Sequence, residues 1–470
     1  MRFVSTRGGS SLGFVDSFLE GLAPDGGLYV PQQIPAIGAQ TFDFWRTLSF
    51  QELAFEVLRL FVDGEIADHD LQALIHDSFS TFDDDEVVPI KMVRDNMAIL
   101  ELFHGPTHAF KDIALQFIGN LYAYIAKRNN EVIHILAATS GDTGAAAIYG
   151  VKGKSDISIA VLYPSGMVSH VQELQMTTVL DDNVLTLAVD GNFDDCQRIV
   201  KQLFSDELLK KSLSLRAVNS INFVRIIVQM VYYIYAHGKM RADGYDGPIS
   251  FSVPTGNFGN IFSAYLAKRM GLPIKSLLLA TNANDILARF ITTGIYEPKD
   301  FAMTYSPAMD IQVASNFERY LFYLFGEDVS QVKSVMDQFA ATGRIVVDGG
   351  WLSEVQKDFL SYSIDDETCV STIKSYDDQY GCVLDPHTAC GVAAFEKAWP
   401  KETEPALWLC LSTAHPAKFS QAMTAAGTVP PMPETIKSLM NLLQKVESIP
   451  CNEQAVALRL TRFFEVKTTK

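Results

Sequence analysis

A chain of 470 residues with 38 basic against 55 acidic side chains carries a formal charge of −17, which argues against the basic patches that nucleic-acid binding requires. That length exceeds what one hydrophobic core organises, so two or three domains are expected. No apolar run reaches the roughly 18 residues of a bilayer span, so no membrane association is expected.

The amino terminus, Met-Arg-Phe-Val-Ser-Thr-Arg, lacks the continuous apolar stretch of a secretory signal. The six cysteines form no CxxC pair and fit free thiols in a reducing compartment, so a cytoplasmic location is expected.

Residues 1–95 read as a separate, mostly helical unit, with a turn at Ala23–Gly27 and an amphipathic helical pattern over Ser49–Val62. The acidic stretch Asp83–Glu86 is placed as a hinge. From about residue 96 short apolar runs alternate with longer amphipathic ones. Strands are expected at Val132–Leu136, Ile157–Leu162, Ile249–Val253, Leu277–Ala280 and Leu407–Leu411. Ile226–Ala236, interrupted by Gln229 and three tyrosines, reads as a buried helix. This alternation predicts an α/β fold with parallel sheets and a catalytic core over 96–430, its smaller part at about 112–215. Residues 431–470 are expected to be a peripheral helical tail.

In parallel sheets ligands gather at the carboxyl ends of strands, so the loops there hold the candidates. His104-Gly-Pro-Thr-His-Ala-Phe-Lys111-Asp112 puts Lys111 at the start of a helix, where a cation is disfavoured. Most lysines are solvated surface residues, but this conflict with local stability points to a role beyond folding. Gly105 and Pro106 break the helix that a His104/His108 metal pair would need, so no metal is expected. Thr139-Ser140-Gly141-Asp142-Thr143-Gly144 offers backbone N–H groups at a helix start, suited to a carboxylate. Thr255-Gly256-Asn257-Phe258-Gly259-Asn260 lacks the signatures of a P-loop or a dinucleotide fingerprint and suits a monophosphate. The turn Ser412-Thr413-Ala-His415-Pro-Ala-Lys418 gains weight only from the company of the other three.

Taken together, these four motifs resemble the threonine synthase family. So do Ser5-Thr-Arg-Gly8, Asp25-Gly-Gly-Leu-Tyr29, Asp194-Asp-Cys-Gln197, Asn219-Ser-Ile-Asn222 and Asp385-Pro-His387, in order along nearly the whole chain. The resemblance implies a fold-type II pyridoxal-phosphate enzyme, tryptophan synthase β-like, with two parallel-sheet α/β domains and an N-terminal helical domain. It implies that Lys111 carries pyridoxal 5'-phosphate, that Gly256, Asn257, Phe258, Gly259 and Asn260 cradle its phosphate, and that Thr413 faces its pyridine nitrogen. Ser140, Gly141, Asp142 and Thr143 match the loop that holds the substrate carboxylate and lies beside the cofactor ring. Arg225, with Asn219, matches the pocket for the substrate phosphate.

The reaction so implied converts O-phospho-L-homoserine and water to L-threonine and phosphate, by a monomer or homodimer. One departure stands out: Met167 occupies a place where family members often carry a basic residue. That departure keeps open a threonine-synthase-like phospho-lyase or dehydratase that releases a 2-keto acid, phosphate and ammonia.

Overall fold

The computed structural model describes residues 1–9, 11–401 and 403–468. The chain forms two compact units, one of residues 1–75, 84–104 and 220–430, the other of residues 76–83, 105–219 and 431–470.

The larger unit is built on a six-stranded sheet. Its order is Phe359–Ser363, Ile274–Thr281, Ile249–Pro254, Leu407–Ser412, Met97–Glu101 and Ile90–Arg94, parallel except for the last, which runs antiparallel at the edge. Ile249–Pro254 and Leu407–Ser412 are buried at every position, as strands covered by helices on both faces must be. They are neighbours with Cys410 opposite Ser252, so the turns that follow them emerge side by side on one edge. The helix Phe223–Ala242 includes the expected apolar run and buries sixteen of its twenty residues, which explains a sequence apolar on nearly every side.

The amino-terminal residues 1–75 fall within the larger unit, tied by buried polar groups to the helix Phe317–Leu324. Thr6 Oγ1 donates to Glu318 Oε1 at 2.6 Å, Arg7 forks onto the same carboxylate at 2.9 and 2.8 Å, and the fully buried Arg319 donates to the Tyr29 carbonyl at 2.9 Å. No local pattern announces partners some 300 residues apart. Glu86, expected in a hinge, accepts an ion-paired hydrogen bond from Lys239 at 2.9 Å.

The smaller unit holds a five-stranded, all-parallel sheet in the order Glu447–Pro450, Val184–Asp190, Ile157–Pro164, Ile133–Ala138 and Leu215–Ala217. Here the carboxyl-terminal segment departs from expectation. Glu447–Pro450 adds an edge strand, and the helix Glu453–Thr468 sends Val456, Leu460 and Phe464 into the core with Leu136, Leu162 and Leu215. The Phe464 ring stacks on His134 with centroids 4.3 Å apart. A four-residue strand containing Ser448 and Pro450 has too little apolar pattern to be read from sequence. Phe464→Ala is therefore expected to cost about 3–5 kcal/mol, the usual range for deleting a buried aromatic. A lower urea midpoint by far-UV circular dichroism checks it; an unchanged midpoint would return the segment to the periphery. No described helix is long and apolar enough to cross a membrane.

Candidate active site

In the smaller unit the turn before Lys111 is organised by Asp112. This fully buried carboxylate accepts hydrogen bonds from Thr107 N at 2.9 Å, Thr107 Oγ1 at 2.7 Å and Gln116 Nε2 at 3.3 Å. A Cβ on Gly105 would collide with the Asp112 side chain, so only glycine allows this approach. His108 sits at φ +55°, a left-handed conformation that costs a non-glycine residue free energy, and its Nε2 lies 2.6 Å from Thr435 Oγ1. The result is a rigid entry that delivers Lys111 as the first residue of the helix Lys111–Asn129, with no side-chain cap ahead of it.

The Lys111 ammonium lies 3.4 Å from Asp142 Oδ2 and 4.9 Å above the Phe110 ring, with only 12% of its side chain exposed. Asp142 is itself held by Gln172, whose Nε2 donates to Oδ1 at 2.8 Å. The other end of that amide accepts from Ser169 N at 3.1 Å in a helix capping box, so Gln172 cannot turn away. Gly141 adopts φ +131°, and a Cβ there would come within 2.5 Å of the Gln172 amide. Thr139 Oγ1 accepts from Gly141 N at 3.0 Å and Gly144 N at 2.8 Å, folding the loop so that Ser140, Asp142 and Thr143 line it. The N–H groups of Ser140 and Thr143 donate to no other group among the described residues. Asn219 lies two residues beyond Leu215–Ala217, on the same sheet edge as this loop. Met167 is 62% exposed.

In the larger unit the strand Ile249–Pro254 runs through Thr255–Phe258 into the helix Gly259–Arg269. A Cβ on Gly256 would stand 2.6 Å from the Ala308 carbonyl oxygen, so a second turn presses directly on this loop. Phe258 takes φ +65° and is buried among Phe317, Tyr320 and Phe359, which anchor a backbone that its own side chain disfavours. Asn257 Oδ1 accepts from Ser315 Oγ at 3.1 Å, and Asn316 Nδ2 donates to the Asn257 carbonyl at 3.1 Å. Among the described residues, none of the N–H groups of Gly256 to Asn260 donates to a backbone or side-chain acceptor.

Two buried donors face the same need. Asn260 Oδ1 accepts from the Tyr233 hydroxyl at 2.6 Å and from the Tyr232 hydroxyl, which leaves its Nδ2 without a partner. Arg225, on the helix that packs Ile226 against Gly259, is 4% exposed, and its Nη1 has no partner either. Burial pushes the Arg225 guanidinium down to about 10, only partly opposed by the Tyr232 phenol. The run of open N–H groups at this helix start, with the orphaned Asn260 amide, is the chemistry of a phosphate site, and the open Arg225 donor is a further group that an anion would complete.

Three family models match the chain: "Threonine synthase N terminus" at residues 2–79, "Pyridoxal-phosphate dependent enzyme" at 97–349 and "Threonine synthase, C-terminal" at 388–458. The threonine synthase of Saccharomyces cerevisiae is 44% identical, with 95% of this chain and 94% of that protein covered. The chain belongs to the threonine synthase family. It is thus a pyridoxal-phosphate-dependent enzyme with threonine synthase function and a fold-type II architecture of two parallel sheets. The crystal structure of the pyridoxal-phosphate-bound threonine synthase from Brucella melitensis superposes with a TM-score of 0.94 at 42% identity, covering 98% of this chain and 99% of that one. The yeast threonine synthase structure gives 0.92 at 42% identity, with 100% and 99% covered.

For a threonine synthase the donor set fits the cofactor. A glycine turn with open N–H groups suits its phosphate, and a lysine of low exposure suits its aldehyde. Thr413 is 6% exposed, its N–H donates to Thr388 Oγ1 at 3.3 Å, and its hydroxyl is bonded to no other residue among those described. The supporting residues Asp112, Gln172 and Asn316 were not legible in the sequence. Each is an ordinary polar residue inside a helix or at its start, and only its partner reveals the role.

Proposed function

We propose that this chain converts O-phospho-L-homoserine and water into L-threonine and phosphate. Pyridoxal phosphate, when bound, supplies a carbonyl that condenses with the substrate amine and a conjugated sink for the charge left at the α-carbon. Lys111 is the base that takes the α-proton, moves the β-proton and returns the last proton to the α-carbon. Asp142, held 3.4 Å away by Gln172, stabilises that lysine whenever it is protonated. The open N–H groups of the Ser140–Thr143 loop hold the substrate carboxylate. Gly256 to Asn260 hold the cofactor phosphate.

The observation that carries a phosphorylated substrate is Arg225. It is a buried guanidinium that no carboxylate pairs with among the described residues, and its Nη1 is left open. Such a group is costly unless an anion completes it. In a chain of charge −17 this local donor must overcome a repulsive overall field. The same reading assigns Asn219 to substrate binding. A cytoplasmic setting belongs to the same reading, supported by six unbridged cysteines.

Thr413 would stand beside the pyridine nitrogen of the bound cofactor as a neutral hydroxyl, which would draw charge into the ring less strongly than a carboxylate. Thr413→Asp should therefore increase keto-acid side product relative to threonine, and an unchanged product ratio would count against this role.

The test of the whole reading is a product assay on the purified holoenzyme. Threonine and phosphate released in equal amounts from O-phospho-L-homoserine support it. Phosphate with a 2-keto acid and ammonia, but no threonine, would replace it by the phospho-lyase reading.

A further inference from the structure

Asp385 is fully buried at the start of the helix Pro386–Ala398, and its hydrogen bonds reach both ends of the proposed cofactor cradle. Toward the pyridine end, Thr413 N–H donates to Thr388 Oγ1 at 3.3 Å, and the Thr388 hydroxyl donates to Asp385 Oδ2. Toward the phosphate end, Asp385 Oδ1 accepts from His387 Nδ1 at 2.8 Å and from His387 N at 3.0 Å. His387 Nε2 in turn accepts from Ala308 N–H at 3.2 Å. That bond assigns the imidazole proton to Nδ1, so the neutral ring points a donor at Asp385 and an acceptor at Ala308. The Ala308 carbonyl is the group that leaves room only for glycine at 256. Both arms meet at this one carboxylate, and the Thr388 hydroxyl also lies 3.1 Å from Ser412 Oγ.

We infer that Asp385 is a positioning residue for the cofactor, holding Thr413 through Thr388 and the Gly256 loop through His387 and Ala308. The inference rests on the assignment of Thr413 and the Gly256 loop to the cofactor. A helix cap alone needs less: Asp365 caps the helix Asp366–Tyr380 by accepting from Thr368 N at 2.8 Å. A buried carboxylate that also orders the Thr388 hydroxyl and the His387 imidazole, one on each oxygen, goes beyond a helix cap, because a neutral amide in its place offers only one acceptor oxygen to the two arms. Asp385→Asn keeps one oxygen for His387 and turns an amide NH₂ toward Thr388 Oγ1. The Thr388 oxygen then receives two N–H donors, and its hold on Thr413 weakens.

The experiment titrates the apoprotein with pyridoxal phosphate and records the dissociation constant and the absorption maximum. Asp385→Asn and Thr388→Val should each weaken binding about tenfold or more and shift the maximum, as expected when a buried bond in a network is lost. Thr388→Ser should restore wild-type behaviour, and Asp365→Asn should leave both readouts unchanged. Thr388→Val stands in should Asp385→Asn fail to fold. Unaltered affinity and maximum in both variants, with only the melting temperature lowered, would reduce Asp385 to a helix cap and overturn the inference. Thr413→Ala, measured alongside, separates the two layers. If it alone changes the spectrum, the cradle assignment stands and the Asp385 inference falls; if it changes nothing, the pyridine-end assignment falls and takes the Thr413 arm with it.

Discussion

Lys111→Ala should remove the visible absorption band and the turnover together while the chain stays folded. The loss in turnover should be roughly 10³-fold or more, since a positioned base alone contributes about 10²–10⁴. The folded state should survive because opposing effects meet at this residue. A cation in the first turn of the helix Lys111–Asn129 works against the helix dipole, and alanine relieves that. Against this, Asp142 loses its partner at 3.4 Å but keeps the amide of Gln172. A far-UV spectrum like the wild type, with no band near the Schiff-base wavelength, is the expected pair of results. A retained band with retained turnover would move the cofactor to another lysine and dismantle the site.

Arg225 offers the second large effect, with the signs of activity and stability opposed. Truncating a buried charged group that binds an anion costs on the order of 2–5 kcal/mol, so Arg225→Ala should lower kcat/KM for the phosphorylated substrate by roughly 30-fold to several thousand-fold. The cofactor spectrum should remain. In the unliganded protein the same guanidinium is a liability, because burial depresses its pKa to about 10 and Nη1 is unsatisfied. Arg225→Met, which keeps most of the volume and removes the buried charge, should hold or raise the melting temperature while losing activity. A variant that loses both cofactor and stability would make Arg225 a structural residue instead.

Both predictions begin from residues that the chain displays without its fold. The motif around Lys111, the Thr139–Gly144 loop, the glycine turn at 256–260 and Thr413 are each contiguous. The last three follow strands legible from their apolar runs, whereas the strand Met97–Glu101 ahead of the Lys111 motif is not among those expected. The strands expected at Ile157–Leu162 and Leu407–Leu411 form within a residue or two of those bounds. Backbone requirements are legible in the same way. A glycine at 256 or 141 announces a close approach even before the neighbour is known.

What the sequence by itself determined was therefore the α/β alternation, the loops proposed to carry the chemistry and the family of the chain. What only the tertiary structure decided was the partner of each charged group. Glu318 gathers Thr6 and Arg7, Gln172 steers Asp142, and Asp385 links Thr413 to the turn at Ala308. The amino-terminal residues joined the larger unit and residues 431–470 completed the smaller sheet for the same reason. Periodicity and turn chemistry are local properties, written within a few residues. The pairing of buried polar groups and the closing of a sheet edge join segments far apart in sequence, and a single chain carries no mark of which distant residue will arrive.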